Sequence, residues 1–114
     1  MRIEQIGFQG DIMVRRVAAV PQGMRVESAS GEHHVIAHSE TGHHHVMDAT
    51  GAVRWVSEDP SVCYLVLERA DVQIEHLRGW DTHASLLLGG GVGAVWEVRR
   101  QREWTPEGER MAVD

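Results

Sequence analysis

Alternation with a period of two constrains this chain more than any other feature. Apolar and polar residues trade places along nearly every segment, and turn residues interrupt the pattern at short intervals. A helix needs apolar residues every three or four positions, whereas a strand with one buried face shows the spacing seen here. The expected fold is therefore all-β. Gly10-Asp11 opens a strand over 12–20, on which Ile12, Val14, Ala18 and Val20 share a face that Arg16 interrupts, and Pro21-Gln22-Gly23 ends it. A strand over 33–39, the tight connection Glu40-Thr41-Gly42 and a strand over 43–49 form a hairpin. A strand over 52–57 carries Trp55. The segment 61–69 is almost continuously apolar, with β-branched and aromatic residues, and reads as the central core strand. Strands over 72–77, 84–88 and 94–104 follow, the last preceded by Gly89-Gly90-Gly91-Val92-Gly93, which a strand interior tolerates poorly. Thr105-Pro106-Glu107 has the N-cap and first-turn character of a brief helical turn or an extended tail. About eight short strands with turns every 8 to 12 residues predict a β-sandwich or a small jelly-roll-like barrel, as a single β-domain over 1–114.

Composition narrows the function classes. A hydrophobic fraction of 42% and a charged fraction of 25% are those of an ordinary globular chain. The net charge of −6 argues against nucleic acid and anionic membranes as partners, and the cluster Arg99, Arg100, Arg102 reads as a solvated strand face. Cys63 is the only cysteine, so no internal disulfide or cysteine-based zinc site can form, and its apolar surroundings suit a small buried side chain. The first residues lack the charged and apolar regions of a signal peptide, and no apolar run reaches the ~20 residues of a membrane helix. The expected location is the cytoplasm of a bacterial host, or a virion assembled there.

Chemistry concentrates in the histidines, eight in 114 residues, with His43, His44 and His45 consecutive. Alternate side chains on a strand share a face, so His43 and His45 project together and His44 points the other way. Two imidazoles ~7 Å apart along one strand can converge on a divalent transition metal such as zinc, given further ligands from another strand. His76, which follows Val72 and Ile74 on the inward face, and His83, at the head of the next strand, are the candidates for those ligands. The predicted metal set is His43, His45, His76 and His83. His33, His34 and His38 read mostly as a solvated face, and His76 alone would equally suit a core histidine bonded to a carbonyl.

The stretches QGDIMVRRVAAVP, VIAHSETGHHHVMDA and VWEVRRQREWTPEGERMAVD resemble a family of small bacterial and phage proteins to which no activity attaches. The resemblance implies that His43, His45, His76 and His83 belong to the family pattern and that His44 does not. The chain departs from it at Gly90-Gly91-Val92-Gly93, where members often carry Pro-Pro-Gly. A looser similarity to cupins implies a metal held by a His-x-His pair and a later histidine, but the usual glutamate after the pair is missing and Asp48 is the nearest acid. Three functions follow as expectations. The first is a non-enzymatic assembly protein such as a phage capsid decoration or cement subunit, reinforced by a structural metal site at the histidines and forming a homo-oligomer or joining a larger shell; tryptophans 55, 80, 96 and 104 could anchor such contacts, although Trp55 and Trp96 also suit the core. The alternative is a cupin-like metal-dependent enzyme of unassigned substrate. The third is a histidine-based pH-responsive binding module. No catalytic residue stands out, and the balance leans away from an enzyme.

Overall fold

A computed structural model describes residues 1–29, 31–37, 44–76 and 85–101, together with the backbone of 102–105 and 108–111. Every regular element among them is a strand. In chain order these are β1 (Arg2–Ile3), β2 (Ile6–Gln9), β3 (Ile12–Val17), β4 (Arg25–Glu27), β5 (His33–Ala37), β6 (His45–Asp48), β7 (Ala52–Val56), β8 (Val62–Leu67), β9 (Val72–His76), β10 (Leu86–Leu88), β11 (Val95–Arg100), β12 (Arg102–Thr105) and β13 (Gly108–Met111). Eleven strands make a β-sandwich. One sheet has the order β1-β10-β9-β6-β5 and the other β2-β3-β11-β8-β7-β4, while β12 and β13 pair only with each other. All pairings are antiparallel except β1 with β10.

The chain repeatedly changes sheets, so that hairpins from the two layers face each other. β5 and β6 lie in the five-stranded sheet, β7 and β8 in the six-stranded one, and β9 and β10 return to the first. Between the layers sit the inward members of each alternation, among them Ile12, Val14, Leu65, Leu67, Val72, Ile74, Leu86 and Leu88, all 1% exposed or less. Trp96 fills the centre, fully buried, with its indole N–H donating to the Gly89 carbonyl at 3.1 Å. Each buried aliphatic of this kind contributes roughly 1.5–3 kcal/mol relative to exposure.

Several expectations change. Three short strands, β1, β2 and β4, had no clear alternation to announce them, and the strand expected to reach residue 20 stops at Val17. The strand expected over 94–104 is divided at Gln101, whose N–H donates to the Asp11 carbonyl as the chain leaves the sheet. In place of the expected helical turn or extended tail after 104, β12 and β13 pair antiparallel, with Thr105 opposite Gly108. The glycine-rich turn is as expected: Gly90, Gly91 and Gly93 have φ of 98°, 81° and 87°, where a side chain would be strained.

Candidate functional site

Four of the six buried polar residues among those described, Gln9, Asp11, His45 and His76, gather at one end of the sandwich, where β6 begins and β9 ends. His45 and His76 are register partners on adjacent strands, and their rings stack with centroids 4.0 Å apart and planes 10° from parallel. Both are buried, at 0% and 1% exposure. From the opposite sheet, Gln9 at the end of β2 and Asp11 in the following turn reach across the core. Gln9 donates through Nε2 to the Ile74 carbonyl at 3.1 Å, which fixes its amide so that Oε1 faces His45 Nδ1 at 2.8 Å. Asp11 Oδ1 faces His45 Nε2, also at 2.8 Å, while its Oδ2 accepts from Arg100 Nε and Nη2 at 3.3 and 3.2 Å. Oxygen acceptors therefore stand at both nitrogens of His45. Asp11 lies between that ring and the Arg100 guanidinium.

The four histidines predicted to share a metal are described only in part. His43 and His83 lie outside the described residues, as does His38. His45 and His76 are brought together, but their parallel rings direct in-plane lone pairs along separate planes, whereas two ligands of one metal must point at the same atom ~2 Å away. His45 could serve a metal only by releasing Gln9 or Asp11. Among the described residues no group of three histidine, cysteine, aspartate or glutamate side chains is arranged to hold an ion. Glu75 is exposed beside inward-facing His76, as the alternation of β9 requires.

Sequence reasoning missed three members of this cluster. Gln9 and Asp11 sit in a stretch whose strand β2 was not recognised, and Arg100, expected on a solvated face, points inward from β11 with only 17% of its side chain exposed. The signal was available in β11 itself: Trp96, Val98 and Arg100 are alternate residues and must share a face. His34, expected in solvent, is instead buried and hydrogen-bonded from Nε2 to the Ala52 carbonyl at 3.1 Å. Cys63 is buried as expected, and burial pushes its thiol above the ordinary range.

A second feature lies on the outside of the six-stranded sheet. Cross-strand register arranges its outward residues in three rows. The first is Val17, Val95, Val66 and Val53. The second crosses all six strands: Ile6, Arg15, Glu97, Tyr64, Trp55 and Val26. The third is Phe8, Met13, Arg99 and Val62. Only Arg15, Glu97 and Arg99 are charged. Antiparallel sheets that face water carry polar residues on the outside, and the five-stranded sheet does so with Arg2, Gln73, Glu75, Asp48 and His33. Ile6, Phe8 and Val26, on the two edge strands of the apolar face, are 50%, 54% and 53% exposed. Trp55 is half-buried here, so the expectation that it fills the core is corrected: it pairs with outward Tyr64.

The charges in the middle of this face are tied together, with both arginines on one carboxylate. Glu97 accepts from Tyr64 Oη at 2.7 Å, Arg15 Nε at 3.0 Å and Arg99 Nε at 3.4 Å. Burial alone would raise its carboxyl, but the three donors outweigh burial and hold it below the ordinary carboxylate range. Burial and the adjacent carboxylate push the Tyr64 hydroxyl up.

Comparison with known proteins adds a family and no activity. No curated protein and no solved structure is matched by the chain. Residues 8–101, which span the sandwich from β2 to the end of β11, match a domain of unknown function, DUF8820. The chain belongs to that family.

Proposed function

We propose that this chain is a non-enzymatic structural subunit that assembles with other protein through the outer face of its six-stranded sheet. The observation carrying this reading is that eleven of the fourteen residues in the three outward rows are apolar. A contiguous apolar surface of this kind marks a protein contact far more often than a surface left in water. The histidine cluster supports the same reading. Both His45 nitrogens and both Asp11 oxygens engage other side chains, which suits a strut between the two sheets.

The finer form of the proposal is a capsid decoration or cement subunit of a phage. Mass spectrometry of purified particles from a host carrying the gene tests it: the chain is expected at a fixed ratio to the shell protein, and particles that lack it defeat the capsid reading. The alternative, a cupin-like metal enzyme, draws on the register pair His45 and His76. It requires His45 to turn away from Gln9 or Asp11. Metal analysis of untagged protein tests the alternative: a cupin-like enzyme requires one ion per chain that is lost in His45→Ala, and a parent chain without stoichiometric metal removes it.

A further inference from the structure

The apolar face is divided along its midline. Its three charged residues stand on β3 and β11, whereas the outward positions of β8, β7 and β4 in the same rows hold only aromatic and aliphatic residues. Each half is the complement of the other. A rotation of 180° about a line parallel to the strands, between β11 and β8, lays β2 over β4, β3 over β7 and β11 over β8. The six-residue row then meets itself in reverse: Ile6 faces Val26 of the second copy, Arg15 faces its Trp55, and Glu97 faces its Tyr64. In the valine row, Val17 meets Val53 and Val95 meets Val66. The same operation puts Arg99 over Val62, so no charge is set against a like charge.

The pairing has the energetics of a specific contact. Guanidinium over indole is a favourable cation–π arrangement. The Glu97 carboxylate is already buried in the single chain and hydrogen-bonded to Tyr64 and two arginines, so pairing adds little to its desolvation. Six strands ~4.8 Å apart, each about five residues long, span roughly 24 by 17 Å and present on the order of 600 Å² of accessible surface. Two such faces bury about 1,200 Å², the lower end of the range for specific interfaces. Facing sheets interdigitate readily when small β-branched residues alternate with larger ones, as the valine row does beside Trp55 and Phe8.

We propose that two copies of this chain pack face to face through the six-stranded sheet, about a two-fold axis parallel to the strands between β11 and β8. The inference rests on the assembly reading and adds to it the identity of the partner and the contact residues. Sedimentation analysis of the full chain tests it with three variants. Val66→Glu places a carboxylate against the apolar Val95 of the second copy, Trp55→Ala removes the partner of Arg15, and Leu87→Glu marks the outer face of the other sheet. The expected result is a dimer with a dissociation constant in the micromolar range, weakened at least tenfold by each of the first two variants and unchanged by the third. Should Val66→Glu fail to fold, as read by circular dichroism, Phe8→Ser takes its place. A parent chain that stays monomeric at about 100 µM, or a dimer that ignores Val66→Glu and Trp55→Ala, overturns the pairing. A monomer that is nevertheless found in particles removes the two-fold contact and leaves the capsid reading intact; a dimer absent from every particle keeps the contact and removes the capsid reading.

Discussion

His45 is the residue on which the two sheets are tied together. Its ring sits fully buried between Gln9 and Asp11 from one sheet and stacks on His76 within the other. Removing one partner from a buried, charge-assisted pair is far more damaging than never having built it, because the remaining group keeps its desolvation cost. Asp11→Ala leaves both His45 Nε2 and the Arg100 guanidinium without this acceptor, and is expected to lower unfolding stability by about 3–5 kcal/mol in a urea titration. A loss below about 1 kcal/mol would show that the cluster is not a strut. Glu97 gives a second prediction at this scale. Its folded-state affinity for protons is depressed, so its contribution to stability is present above the ordinary carboxylate pKa of about 4.3 and is lost as pH falls through the lower folded value. Urea midpoints measured from pH 7 down to pH 3 should fall at the acid end, and Glu97→Gln should flatten part of that fall; equal acid slopes in both proteins would refute it.

The strands show why some elements could be read from the chain and others could not. β9 and β11 carry alternations that a buried face requires, announced by residues such as Ile74 and Val98, and β8 carries a nearly continuous apolar run. β1, β2 and β4 have two to four residues each, too few for a period to be visible, and β4 has no buried residue at all. The same shortness hid part of the site. With β2 unrecognised, nothing in the sequence placed Gln9 or Asp11 opposite His45, whereas the alternation of β9 did place His76 inward. The turn from β6 to β7 is set locally, with Asp48 Oδ1 accepting from the Thr50 N–H and hydroxyl at 2.8 and 2.7 Å. Gly51 also has a tertiary role as the chain changes sheets. A Cβ there would meet Val72 Cγ1 at 2.7 Å and the Asp48 carbonyl at 3.2 Å. Gly51→Ala is therefore expected to cost about 1–3 kcal/mol, read as a lower urea midpoint with an unchanged slope. An unaffected midpoint would mean that β6 and β7 accommodate the methyl group freely.

At the scale of the molecule, the two outer faces differ in kind. One carries the polar residues that suit contact with water, and the other carries three nearly apolar rows whose charged and aromatic halves are complementary across the midline. Pairing through that second face would also relieve the weakness of a small sandwich, which buries a smaller share of its surface than a larger domain. It would equally explain the exposure of Ile6, Phe8 and Val26, which then fall at the two margins of the contact. Light scattering on the unmodified chain measures the central quantity directly. Packing of two copies predicts a solution mass of twice 12.7 kDa that falls towards 12.7 kDa on dilution below the micromolar range. A mass that stays at 12.7 kDa at every concentration up to about 100 µM would contradict it.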